Sequence, residues 1–248
     1  MKRLGAVCVL LQMREMNIEM YEKPYEHLLS GLREYYALYE NGLKKQANKY
    51  IEDFAAEVCT WDQPSQERAM EQLSRELCDG GEVDFLRRRG NGDVPYALSQ
   101  LLREQLYSQC LEGKMPHMRW FYELYKNTPF YDDAMNMLEN AYAHEYCDEK
   151  TVVLYFEIWL SRLSYGAHHF PEGCCISEQE RRDAIGHCER IIAERVVPAE
   201  MAAELEYFRR LYDCYDRFCA DGKTGAFHEY CAAAGIGFNE TPTFYYEG

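Results

Sequence analysis

Apolar and polar residues alternate with a helical period almost from end to end. Apolar side chains recur three and four residues apart from about Pro24 to Tyr39, and again from about Leu43 to Cys59. That spacing lines one face of an α-helix. Asn41-Gly42 between the two stretches suits a helix terminus followed by a tight turn. Thr60 and Gln63 stand at capping-box spacing and predict a helix to about Cys78, which Asp79-Gly80-Gly81 would stop. Residues 82–93 are irregular, and Val94 to Leu111 is again helical. A Met115-Pro116 turn opens a helix to about Lys126. Thr128-Pro129 pairs a hydroxyl able to accept from an end amide with a proline suited to a first turn, and predicts a helix over Phe130 to Tyr146. Three more helices are expected over Lys150 to Tyr165 (ended by Gly166), from the Ser177/Glu180 capping box to about Arg195, and from Pro198 to about Cys219. A short one covers Phe227 to Ala234, and Ala167 to Ile176 is the longest irregular stretch among them. The predicted fold class is all-α.

Elements recur in order. Arg33, Tyr36, Leu38, Tyr39 and Asn41 return as Arg119, Tyr122, Leu124, Tyr125 and Asn127, 86 residues on, with a fainter echo at Tyr207 to Tyr212. Ala55 to Cys59 is echoed at Ala143 to Cys147 and at Phe227 to Cys231, and Leu73-Ser74-Arg75 returns as Leu160-Ser161-Arg162. Recurrence at a fixed spacing is the mark of repeat architectures. We expect an internal duplication of about 86 residues, folded as an α-solenoid of stacked antiparallel helical hairpins. It would form one helical-repeat domain over 1–234, with units near 30–117 and 118–204 and a partial unit over 205–234. An aromatic tail, 235–248, follows.

Ala134, Leu138 and Ala141 share one helix face by their i, i+4, i+7 spacing, with Phe121 and Tyr125 upstream. This stretch, about 118–146, resembles a degenerate tetratricopeptide repeat. Tyr122 stands where that pattern has a small residue, and Tyr146 where it has a proline. The resemblance implies paired antiparallel helices and a binding role, and no ligand-binding residue is carried over from it.

The chain has 248 residues, 27 Lys and Arg against 42 Asp and Glu, and a net charge of −15. Nucleic-acid backbones reward clustered cations, so this balance argues against a nucleic-acid partner. Arg87-Arg88-Arg89 before Gly90 reads as cations at a helix C-terminus. Eleven cysteines, an odd number without a framework, read as thiols in a reducing compartment. The apolar run Leu4 to Leu11 follows Lys2-Arg3 like the start of a signal peptide. It lacks a small-x-small cleavage site and is too short to span a bilayer. A cytoplasmic, non-membrane protein is expected. Asn239-Glu240-Thr241 has the glycosylation spacing, which only a secreted chain would use.

Candidate chemistry is sparse. His168, His169, Cys174 and Cys175 carry ligand types suited to zinc, but adjacent pairs diverge from one another, and no C-x-x-C occurs. His144-Glu145 and His228-Glu229 lack the second histidine of the metalloprotease helix. No histidine has a glutamate three residues before it, and no phosphate-binding loop is present. No cofactor is expected. Twenty-one tyrosines remain, clustered at helical spacing. They pack helices together or line an exposed aromatic groove, in which case Tyr35, Tyr36, Tyr39, Trp120, Tyr122 and Tyr125 are the binding candidates. The expected function is non-catalytic binding of a protein or peptide, by preference a basic one, as a scaffold, adaptor or regulator. The alternatives are a metal- or cysteine-dependent enzyme centred on the His168–Cys175 loop, and an acidic inhibitor or immunity-type protein neutralising a basic target.

Overall fold

The structure, a computed structural model, describes residues 23–80 and 94–238. The run Leu4 to Leu11, the Arg87-Arg88-Arg89 cluster, Asn239-Glu240-Thr241 and most of the aromatic tail lie outside the described residues. Among those described there are ten helices and no strand, so the fold is all-α. None of these helices is long and apolar enough to cross a membrane.

The chain divides into two compact units, residues 1–144 and 145–248. The first holds α1 (residues 23–40), α2 (Lys44–Val58), α3 (Gln63–Cys78), α4 (Tyr96–Leu111), α5 (His117–Tyr125) and α6 (Tyr131–Ala143). The second holds α7 (Glu149–Ala167), α8 (Glu178–Glu194), α9 (Ala199–Ala220) and α10 (Phe227–Ala233).

Most helix ends follow local chemistry. Ser177 and Glu180 form the reciprocal capping box that opens α8, and Asp148 caps α7 by accepting from the Thr151 amide at 2.7 Å. Thr60 does not cap α3. Asp62 does, accepting from the Ser65 amide at 3.0 Å, while the Thr60 hydroxyl donates to the Glu57 carbonyl. Pro64 enforces this choice, because a residue without an N–H fits only in a helix's first turn. α6 stops at Ala143, three residues before Tyr146. Gly166 does not end α7 but lies inside it, for a reason that is tertiary. A Cβ there would meet Ile176 Cδ1 at 2.6 Å and the Tyr212 hydroxyl closer still.

In the first unit α1 and α2 run antiparallel. His27 bonds Glu57 at 2.7 Å, Gly31 faces the Phe54 ring with no room for a Cβ, and the Lys44 ammonium sits over the Tyr39 ring. α5 is the central element, packed against α3, α4 and α6. Eight of its nine residues are buried, so it has no solvent face to be amphipathic about. Most of its polar groups are matched in place, His117 Nδ1 being buried without a hydrogen-bond partner among the described residues. The Arg119 guanidinium binds Asp79 at 2.8 Å and Glu123 at 2.6 Å, Trp120 Nε1 donates to Asp79 at 2.9 Å, and the Tyr125 hydroxyl donates to the Ser99 carbonyl. Ala134, Leu138 and Ala141 of α6 are all fully buried, as their spacing predicts.

In the second unit α7, α8 and α9 pack on one another, and α10 folds back along α9. Trp159 of α7 stacks on His187 of α8, with centroids 3.9 Å apart. The Tyr212 hydroxyl of α9 donates to the Leu163 carbonyl of α7 at 2.8 Å. Phe170, from the α7–α8 loop, stacks on Tyr215 and meets Tyr212 and Phe227 edge-on.

Candidate functional site

The six aromatic candidates do not form one surface. Tyr36, Trp120, Tyr122 and Tyr125 are buried, which corrects the expectation of an exposed groove through them. The reason is the position of α5: a helix enclosed by three others turns its aromatics inward on every side, and their polar tips find partners inside the protein. Burial, more than any charge, raises the Tyr125 phenol above its ordinary range. Tyr35 is half-buried and Tyr39 is exposed, one turn apart on α1 with ring centroids at 5.9 Å.

The loop of residues 168–177 does not gather its histidines and cysteines at one point. His168 and His169 are exposed and pack edge-to-face, and the Cys175 amide donates to the Gly166 carbonyl. Among the described residues no three His, Cys, Asp or Glu side chains are placed to hold one metal ion. Cys174 instead lines a cavity of about 340 Å³ with Ser177, Arg181, Tyr215 and Asp216. Arg181 is committed there, pairing with Asp216 at 2.8 Å and lying over the Tyr212 ring. Desolvation, followed by the neighbouring Cys219 thiol, pushes the Tyr215 phenol up to about 12.

The first unit has its own cavity, of about 310 Å³, between α3 and α4 and closed by the turn into α5. Glu67 and Glu71 line one wall and Gln105 and Gln109 the other, with Lys114 and His117 at the end. Lys114 is held by Glu112 at 2.7 Å and by Gln109. Burial lowers the His117 imidazole below its usual pKa, against the opposing pull of Glu71. Lys114 is thus internally satisfied, and no serine, threonine or cysteine is among the residues lining this cavity.

Helix α9 contributes residues that pattern reading passed over. Residues 145–248 contain 19 Asp and Glu against 10 Lys and Arg, a net charge of −9 out of the chain's −15. Four of these carboxylates are neutralised in place: Glu178 by Arg182, Glu180 by Arg162, Glu189 by Arg209 and Asp216 by Arg181. Those at the start of α9 are not among them. Glu200, Ala203, Glu204 and Tyr207 share one exposed face, and neither carboxylate has an ion-pair partner among the described residues. Exposed Ile192 and Val196 precede them in the chain. The signal was available as Glu-x-x-x-Glu-x-x-Tyr, which places all three on one side of a helix.

Comparison with protein-family models, curated proteins and solved structures returned no match.

Proposed function

We propose that this chain is a non-catalytic helical-repeat protein that binds a basic polypeptide segment at the acidic, aromatic face opening α9. The observation that carries the reading is the pair Glu200 and Glu204, one turn apart on an exposed helix face with Tyr207 and without an ion-pair partner among the described residues. Lysine or arginine from a partner would supply those charges. Tyr207 offers a ring face for the same cations, and Val196 and Ile192 offer apolar contact.

The repeat architecture is part of the proposal. Helix starts at 44 and 63 recur at 131 and 149, offsets of 87 and 86, matching the sequence spacing. Within each unit the principal packing joins helices that are close in the chain, as stacked hairpins require. A reducing, cytoplasmic setting, expected from eleven cysteines without a framework, is part of the same proposal.

The test is fluorescence anisotropy with labelled Lys/Arg-rich peptides and sequence-scrambled Glu/Asp-rich controls, at low and physiological salt. Binding should be confined to basic peptides, weaken severalfold with salt, and weaken again in Glu200→Gln/Glu204→Gln and in Tyr207→Ala. Equal binding of acidic peptides, or affinity indifferent to salt and to these substitutions, overturns the reading.

A further inference from the structure

Two thiols in the second unit meet in a way no other cysteines described here do. Cys214 Sγ of α9 and Cys231 Sγ of α10 are 3.4 Å apart, both fully buried, 17 residues apart in the chain. Their meeting is held by contacts on either side. Arg210 of α9 donates to the Ala234 and Gly235 carbonyls beyond the end of α10, the Phe218 and Phe227 rings pack at 5.1 Å, and the Tyr230 hydroxyl donates to Asp221 at 2.6 Å. The two helices are therefore in register before the sulfurs react. A disulfide has S–S near 2.05 Å, so closure needs the two sulfurs to approach by about 1.4 Å.

We propose that Cys214 and Cys231 are a disulfide-forming modification site whose oxidant is a low-molecular-weight disulfide. In the first step one thiol, deprotonated, attacks a sulfur of the small disulfide. A mixed disulfide forms and one small thiolate leaves. In the second step the other protein thiolate attacks the mixed disulfide at the protein sulfur, forming the Cys214–Cys231 bond and releasing the second small thiolate. Two protein thiols are oxidised, one small disulfide is reduced to two thiols, and the protons pass to the released thiolates. Access comes from α10, a helix of only seven residues near the end of the described chain, where local opening costs least. The register contacts then return the two sulfurs to each other, which favours ring closure over the lasting adduct left on an isolated thiol.

The experiment treats the full-length chain with oxidised glutathione, quenches with N-ethylmaleimide in denaturant, and maps unreduced tryptic peptides. Cleavage after Arg210, Arg217 and Lys223 puts Cys214, Cys219 and Cys231 on three different peptides, so the linkage reads unambiguously. The expected product joins the peptides of Cys214 and Cys231, forms at least tenfold faster than any other pairing, and is reversed by dithiothreitol. It raises the melting temperature by about 5 °C. Cys214→Ser, which keeps the shape of the site, should leave Cys231 as a glutathione adduct without the thermal gain. The proposal is overturned if Cys214 and Cys231 are recovered alkylated once the exposed Cys59 and Cys174 are fully modified, or if either pairs preferentially with another cysteine.

Discussion

The same substitution, glycine to alanine, should have opposite effects in two helices that pack on each other. In a helix interior alanine is favoured over glycine by about 0.8–1.0 kcal/mol. Gly186 of α8 has nothing within 4 Å of a Cβ, so Gly186→Ala should stabilise by up to that amount. At Gly166 of α7 the new methyl would lie 2.6 Å from Ile176 Cδ1 and Cγ1, about 1 Å inside the carbon–carbon optimum, and would press on the Tyr212 hydroxyl. Tyr212 cannot yield cheaply. It is 1% exposed, bonded to the Leu163 carbonyl at 2.8 Å, and held edge-on by Phe170. Overpacking costs about 1–3 kcal/mol, and losing the buried hydrogen bond about 1 kcal/mol more. Set against the helical gain, Gly166→Ala should destabilise by about 2 kcal/mol, or about 4–8 °C in melting temperature. Urea unfolding followed by circular dichroism measures both variants at unchanged m. If Gly166→Ala is neutral or stabilising, the close approach of α7, α9 and the loop does not exist as described.

Two further outcomes follow from buried charge in the first unit. Arg119→Met removes the guanidinium that pairs with the buried Glu123 carboxylate and should cost about 3–5 kcal/mol, part of which Glu123→Leu should recover in the double variant. A single variant within 1 kcal/mol of wild type in urea would refute the reasoning. Burial makes His117 harder to protonate in the native state than in the unfolded chain, where it takes up a proton near pH 6.5. The unfolded state therefore binds the extra proton first, and stability should decline as pH falls below about 6.5. Urea midpoints across that range should slope less in His117→Gln, and identical slopes would rule out this role for His117.

The sequence determined by itself what depends on neighbours a few residues away. Helical periodicity located the ten described helices, and Ser177 with Glu180 announced the start of α8, because caps and amphipathic faces are local matters of hydrogen bonds and spacing. Tertiary structure decided which face each helix shows. The Tyr-rich segments 32–41 and 118–127 read alike, yet Tyr39 is exposed on an outer helix while its counterpart Tyr125 is buried in α5. A tyrosine carries both an apolar ring and a polar tip, so its sequence signature is the same in a core and on a surface. Gly166 shows the same division. Local rules read it as a stop, and only the arrival of Tyr212, 46 positions later, made it the one residue small enough to continue the helix there. Likewise no spacing rule pairs Cys214 with Cys231; two helices folding back on each other bring them into contact.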